Sequence, residues 1–144
     1  MNFLIFLGIF LGGGAGAFCR FSLDSLIKKH WSHPLSVGTL TINLLGSFAL
    51  GWLTALTAGA LSLTWGSEAA RAASLIIGTG FLGGFTTFST AMVETVSRVK
   101  VATSPGVKSS GERGVLGALF LLFGQAVLCF VVAGLGLALG GAVS

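Results

Sequence analysis

Charged side chains are scarce in this sequence. Of its 144 residues only 8% are Asp, Glu, Lys or Arg, whereas 53% are hydrophobic and 23 are glycine. A soluble domain needs a polar surface, which this composition does not supply. We therefore expect a membrane protein, and we attribute its excess of basic residues to topology and anionic lipid, not to nucleic acid.

Cysteine is also rare, and its two copies do not indicate a disulfide framework. Cys19 and Cys129 both lie within apolar segments, where a free cysteine commonly acts as a small hydrophobic residue. A motif for ATP binding or covalent catalysis is not apparent either. The sequence therefore does not predict an enzyme.

Four long apolar blocks occupy most of the chain. A helix needs roughly 20 residues to cross the hydrocarbon core of a membrane. Since backbone polar groups in lipid must be paired internally, such blocks form helices and not open strands. The sequence predicts an all-α protein that forms a single integral membrane domain over residues 1–144. Its four transmembrane helices should cover residues of about 3–21, 37–60, 72–96 and 115–143.

Three short polar connections separate these blocks, at Ser22–Ser36, Leu61–Arg71 and Ser97–Arg113. The second connection shares a side of the membrane with both termini, and only Arg71 lies there. The other seven basic residues lie toward the opposite side, at Arg20, Lys28, Lys29, Arg98, Lys100, Lys108 and Arg113. Basic residues favour the cytoplasmic side. We expect a multi-pass protein of the cell membrane with both termini outside.

The first span carries glycine at a helical spacing. Gly8, Gly12 and Gly16 recur every four residues, so that one helix face can approach a neighbour at backbone distance. Arg20 lies near the end of this span, where it can reach water or pair with Asp24 one turn later. We expect a structural role for Arg20.

The second span has a small, polar face. Its members are spaced as on one side of a helix, and they are Thr39, Asn43, Gly46, Ser47 and Gly51. An asparagine amide in the middle of a membrane must find hydrogen-bond partners, and a common reason for its presence is to link helices. A role for Asn43 in handling ions is the alternative.

The third span is unusual near its middle, where the run Gly78–Thr90 is rich in glycine and hydroxyl residues. Adjacent glycines followed by threonines disfavour a continuous helix, and we predict a break near Gly83–Thr86. A break exposes carbonyl groups on one half-helix and N–H groups on the other, which can bind cations and anions. The alternative is a kinked helix in which Ser and Thr side chains bind the backbone carbonyls that the kink leaves unpaired.

Three motifs in this chain resemble those of the Fluc/CrcB fluoride channels. The most specific is Gly80-Phe-x-Gly-Gly-x-Thr-Thr-Phe-Ser-Thr90, with Glu94 at a matching offset. The segments from Gly12 to Arg20 and from Gly38 to Ser47 agree in order and spacing. The resemblance implies four helices with the third broken, an antiparallel dimer around a structural sodium ion, and passive export of fluoride from the cytoplasm.

The resemblance also implies roles for particular residues. The backbone carbonyls of Gly83 and Thr86 would hold the sodium ion. Five residues would line or contact the fluoride pathway, namely Asn43, Thr87, Phe88, Ser89 and Thr90. Three would have structural or vestibule roles, namely Arg20, Thr39 and Glu94. Hydroxyl and amide N–H groups can replace the water around fluoride, and a phenylalanine ring edge is electropositive.

The sequence departs from the family pattern in two places. Ala91 occupies the position of a second phenylalanine, and the aliphatic fourth span offers only Gln125 and Cys129 as pore-lining groups. Together with the uneven basic charge, these departures favour pairing with a homologous subunit of opposite orientation, or a non-conducting partner role. A small drug-proton antiporter is a further alternative, but Asp24 and Glu94 lie near span ends, not at mid-membrane.

Overall fold

Helices form all the regular structure in the described part of this protein. The computed structural model describes residues 2–30, 37–102 and 111–143, although the side chains of some of these, among them Glu94 and Arg98, lie outside the description. The centres of the predicted first and third connections, 31–36 and 103–110, lie outside it too. The elements are α1 (Phe3–His30), α2 (Val37–Ala58), α3 (Ala60–Trp65), α4 (Ser67–Ala73), a π-helical segment (Ser74–Leu82), α5 (Gly83–Phe85), α6 (Ser89–Ala102) and α7 (Gly111–Val143).

Within the ranges 2–30, 37–102 and 111–143, four stretches are long and apolar enough to cross a membrane. They are Phe3–His30, Gly38–Ala58, Ser67–Ser97 and Leu122–Val143. The third stretch combines α4, the π-helical segment, α5 and the beginning of α6. The prediction of an all-α, multi-pass membrane protein with four apolar helices is confirmed.

The first helix is longer than the hydropathy of the sequence predicts. We expected it to end near Phe21, but α1 continues to His30. Its last turns are polar and still helical because side chains support them. Ser25 Oγ donates to the Phe21 carbonyl at 2.8 Å, and Lys28 forms an ion pair with Asp24 four residues earlier. Such pairs favour a helix beyond the apolar block.

The predicted second connection is largely helical as well. We expected a short polar connection over Leu61–Arg71, and in the structure α3 and α4 occupy most of it, with α4 beginning at Ser67. The chain turns between them at Gly66, whose φ of 84° is in the left-handed region that favours glycine. Hydropathy alone does not reveal helices as short as these.

Helix α1 packs against the third span at backbone distance. A Cβ atom on Gly12 would lie 2.9 Å from the Ile76 carbonyl oxygen, and one on Gly16 would collide with the Phe81 carbonyl. In the other direction, a Cβ on Gly84 would collide with the Gly13 carbonyl. The predicted close approach of the α1 glycine face is therefore confirmed.

The second and fourth spans form another close pair. Helix α2 makes its most extensive contact with α7. A Cβ on Gly51 would collide with the Ala133 carbonyl, and one on Gly136 with the Phe48 carbonyl. Since small residues let helix backbones approach in a membrane, these two positions set the spacing between α2 and α7. The helix pairs leave the middle of the third span between α1 on one side and α2 on the other.

Candidate functional site

The regular hydrogen bonding of the third span changes twice near its middle. Ser74–Leu82 is π-helical, and the N–H group of the next residue, Gly83, donates to the carbonyl of Gly78, five residues back. Helix α5 then ends at Phe85, because Thr86 has extended backbone angles of φ −76° and ψ 157°. Wide helical turns of this kind are rare and often occur at functional sites.

Thr86 closes the first half of this region. Its N–H donates to the Leu82 carbonyl at 2.9 Å, and its Oγ1 hydroxyl donates to the same carbonyl at 3.0 Å. The backbone then leaves the helical path for residues 86–88 and re-enters it at Ser89, where α6 begins. A Cβ on Gly46 of α2 would collide with the Thr86 methyl group, so α2 lies directly against this turn.

Asn43 binds the peptide groups of Thr87 with both ends of its side-chain amide. The Thr87 N–H donates to Asn43 Oδ1 at 2.8 Å, and Asn43 Nδ2 donates to the Thr87 carbonyl at 2.9 Å. The asparagine is only 8% exposed. This pair of bonds joins α2 to the interruption over a separation of 44 residues, and it leaves one of the two Nδ2 hydrogens for another acceptor.

Arg20 reaches the same region from α1. Its Nε donates to the Gly84 carbonyl at 3.3 Å, a charge-assisted bond to a group at the end of α5. Of the two options for Arg20, reaching water or pairing with Asp24, the pair does not form among the described residues, where Lys28 binds Asp24. A structural role was predicted for Arg20. In the structure its side chain donates a hydrogen bond to a carbonyl that the interruption of the helix exposes.

Three hydroxyl groups form a small cluster where α6 begins. Thr87 Oγ1 lies 3.1 Å from Ser89 Oγ and 3.2 Å from Thr90 Oγ1. The Thr90 N–H also points to Thr87 Oγ1, at 3.4 Å. A helix N-terminus combines free N–H groups with a positive end of the helix dipole. Hydroxyls at this place add donors that can turn toward an anion.

The Gly83 and Thr86 carbonyls are among the groups at the interruption that lack the N–H donor of a continuous helix. In such a helix Gly83 would accept from Thr87, and Thr86 from Thr90. Here the Thr87 N–H donates to Asn43, and the Thr90 N–H points to the Thr87 hydroxyl. The Gly83 and Thr86 carbonyls are the acceptors to which the family resemblance assigns a sodium ion. Among the described residues, no group of three His, Cys, Asp or Glu side chains could hold a metal instead.

A cavity of about 300 Å³ lies beside the interruption, between α2, the third span and α7. Its polar lining comes from three helices and includes Asn43, Ser47, Thr86, Thr87 and Gln125. Apolar groups complete the wall, so that a few polar groups converge on an otherwise apolar space. Such a combination is typical of binding sites and ion pathways.

Comparisons with known proteins show the family to which the chain belongs. A family model described as CrcB-like protein, Camphor Resistance (CrcB) matches residues 7–137. The chain belongs to the CrcB family. A curated relative, fluoride-specific ion channel FluC 2 of Cutibacterium acnes, is 42% identical over 137 residues, which are 95% of this chain and 98% of the relative.

Two further CrcB relatives carry the same kind of name. Fluoride-specific ion channel FluC 1 of Leifsonia xyli subsp. xyli is 39% identical over 142 residues, which are 98% of this chain and 90% of the relative. Fluoride-specific ion channel FluC of Pyrococcus furiosus is 38% identical over 115 residues, which are 80% of this chain and 87% of the relative. The similarity thus covers most of the length of each protein.

All but two of the predicted site residues of this CrcB chain meet around the interruption. Thr39 is buried, with an exposed fraction of 2%, one turn before Asn43 on α2. Glu94 belongs to α6, but its side chain lies outside the described part. The remaining site residues lie in the interruption or contact it, namely Arg20, Asn43, Gly83, Thr86, Thr87, Phe88, Ser89 and Thr90.

The fourth span contributes more to the cavity than its plain sequence indicates. Gln125 and Cys129 line the cavity one helical turn apart. Their spacing of four residues was a signal for a common face, although it did not show which face is inward. Ala91 also lines the cavity and is only 5% exposed, whereas Phe88 is 67% exposed in the single subunit.

Proposed function

We propose that this chain is a subunit of a fluoride-selective, passive ion channel that exports fluoride from the cytoplasm and so lowers its toxicity. The observation that carries the proposal is the polar interruption in an apolar span, where Asn43, Thr87 and Phe88 line one cavity and the Thr87 hydroxyl contacts that of Ser89. Relatives along most of the chain are named fluoride-specific ion channels. Such a channel binds and releases an ion without covalent chemistry.

The anion pathway would use the donors beside the cavity. Fluoride is small and strongly hydrated, so a pore must replace its water with N–H and O–H groups. Asn43 retains one N–H for this purpose, and Thr87, Ser89 and Thr90 provide hydroxyls. The ring edge of Phe88 is electropositive and adds a weak contact for an anion. The mouths of the cavity would then lead to the two sides of the membrane.

A structural sodium ion would bind to backbone oxygens and not to acidic side chains. The Gly83 and Thr86 carbonyls fit this role because the N–H groups that would donate to them in a continuous helix bind other acceptors. Hard cations prefer oxygen ligands. The ion would neutralise the negative ends of the exposed carbonyl dipoles and hold the interruption in one conformation. It would not be transported.

A second subunit would complete the site. Polar backbone at membrane depth is tolerated only where protein or water covers it, and in the single chain Gly83 is exposed and Phe88 is 67% exposed. An antiparallel dimer that packs these surfaces together would bury them around the sodium ion. We place the dimer in the cell membrane, with both termini of this chain outside.

Fluoride efflux from liposomes tests this proposal. The purified chain is reconstituted, and efflux of fluoride and of chloride is recorded in sodium buffer and then in sodium-free buffer. We expect fluoride efflux to be faster than chloride efflux by at least about tenfold and to decrease without sodium. Equal rates for the two anions would contradict fluoride selectivity, and unchanged fluoride efflux without sodium would contradict the structural role of that ion.

A second candidate function is that of a partner subunit in a heterodimeric channel. The observation in its favour is that the small, buried Ala91 lines the cavity next to Phe88, at the position where the family pattern has a second phenylalanine. The uneven basic charge also favours one orientation for this chain. Co-reconstitution with an opposite-orientation homologue tests it. Efflux only from the mixture supports this candidate, and equal efflux from this chain alone contradicts it.

A further inference from the structure

Asn43 does more than line the cavity, because its amide replaces two backbone hydrogen bonds of a helix. In a continuous helix the Thr87 N–H would donate to the Gly83 carbonyl, and the Thr87 carbonyl would accept from Ala91. Instead both groups of Thr87 bind Asn43, at 2.8 and 2.9 Å. A buried amide that matches a peptide group in this way satisfies both without water.

The orientation of this amide follows from its partners. The Thr87 N–H can only donate and its carbonyl can only accept, so Oδ1 must face the first and Nδ2 the second. Flipping the amide would bring two donors together and two acceptors together. The two bonds also fix the plane of the amide, and with it the direction of the one Nδ2 hydrogen that remains. Asn43 is therefore held rigidly relative to the interruption.

We propose that Asn43 is a positioning residue that keeps the third span interrupted and thereby creates the cation site. By taking the Thr87 N–H, it leaves the Gly83 carbonyl without its helical donor. By holding the Thr87 backbone out of the helix, it also directs Thr87 Oγ1 toward Ser89 and Thr90. This inference rests on the proposed function only where it concerns sodium, since the geometry of the interruption can be tested without any ion.

The cavity offers a matched control one turn away. Ser47 lies on the same face of α2 as Asn43 and lines the same cavity. If Asn43 acted only as a donor to the anion, then Asn43→Ser would keep a hydroxyl in the cavity and resemble Ser47→Ala in its mild effect. A serine side chain is too short to bind both peptide groups of Thr87. The positioning role therefore predicts different results for Asn43→Ser and Ser47→Ala.

Amide hydrogen exchange, recorded by NMR on the full-length protein in lipid nanodiscs, measures the positioning role directly. The Thr87 N–H is compared with that of Met92, which donates to the Phe88 carbonyl at 3.0 Å within the next turn and not to Asn43. In Asn43→Ser we expect Thr87 to exchange about tenfold faster relative to Met92, the factor for one lost hydrogen bond. Ser47→Ala should change this ratio less than about twofold.

Sodium-dependent thermal unfolding is the second readout. Sodium should stabilise the unmodified protein, since a ligand of the folded state raises its stability. In Asn43→Ser we expect the half-saturating sodium concentration to rise about tenfold, because the Gly83 carbonyl regains its helical donor. A shift of less than about twofold in this variant would overturn the positioning role. If sodium has no effect on the unmodified protein, the sodium part of the proposed function fails, and hydrogen exchange still decides the role of Asn43.

An unmodified sample provides a test that needs no variant. The positioning role requires the Thr87 N–H to exchange more slowly than the N–H groups of Phe88 and Ser89, although residues 86–88 are not helical. Equal exchange at these three positions would overturn the inference even if Asn43→Ser fails to fold. So would an Asn43→Ser protein that retains the original protection of Thr87.

Discussion

Replacing Gly16 by alanine should both destabilise the protein and disturb the interruption of the third span. A Cβ atom on Gly16 would lie 2.9 Å from the Phe81 carbonyl carbon and 2.9 Å from the Phe85 nitrogen. Favourable contacts between such atoms lie at about 3.5–4.0 Å. Because the obstacles are backbone atoms and not flexible side chains, α1 has to move away from the third span by roughly 1 Å.

The size of this effect follows from two opposing contributions. Overpacking of a tight contact costs about 1–3 kcal/mol. Alanine in place of glycine within a helix recovers about 0.5–1 kcal/mol. We expect a net loss of about 1–2 kcal/mol in the free energy of unfolding. The same movement takes Arg20, one turn later on α1, away from the Gly84 carbonyl, which it now reaches at 3.3 Å.

Thermal unfolding of the purified protein, together with fluoride efflux from liposomes, measures both consequences. Gly14→Ala and Gly134→Ala are matched controls, since a Cβ at either position would meet nothing within 4 Å. We expect the controls to keep or increase the unfolding temperature and Gly16→Ala to lower both stability and efflux. Equal losses in all three variants would refute the close-contact reasoning, because they would show that glycine is needed for a reason other than space.

Three further predictions concern the site itself. Arg20→Leu leaves the Gly84 carbonyl without its donor, and thermal unfolding should show a loss of about 1–3 kcal/mol, which an unchanged midpoint would contradict. Phe88→Leu keeps an apolar side chain of similar size but removes the ring edge, so efflux should fall by about tenfold while stability changes by less than about 1.5 kcal/mol. Ser89→Ala removes a hydroxyl 3.1 Å from Thr87 Oγ1, and efflux should fall about threefold, with equal efflux speaking against a role in the pathway.

The membrane-crossing helices and their close contacts follow from the sequence to a large extent. Apolar length predicts four spans, and the spacing of Gly12 and Gly16 predicts a face that touches a neighbouring backbone. The ends of the helices are less predictable. Hydropathy marks where lipid ends, whereas α1 continues to His30 through hydrogen bonds and an ion pair in its polar turns. The chain is thus helical beyond its apolar blocks.

The partners of the polar residues could not be read from the sequence. Arg20 and Asp24 lie four residues apart, and a pair between them was one of the two options that the sequence offered. In the folded chain Lys28 binds Asp24 instead, and Arg20 reaches Gly84, 64 residues away. The separation between Asn43 and Thr87 is 44 residues. Such contacts depend on how the spans pack, and residue spacing within one span carries no information about them.

The interruption of the third span combines local sequence with contacts from two other helices. Glycine and threonine weaken the helix around Gly83–Thr86. A weak helix propensity alone would permit several backbone paths, because Ser and Thr side chains can bind the carbonyls that a kink leaves unpaired. Arg20 from α1 and Asn43 from α2 each bind a backbone group of this region, so that the path observed is the one that satisfies both. Glycine contacts hold α1 against the third span, and α2 against Thr86. The spacing of the helices therefore determines which carbonyls are left without a helical donor, and if these carbonyls bind sodium as proposed, a change in packing should alter ion binding without touching any ion-binding group.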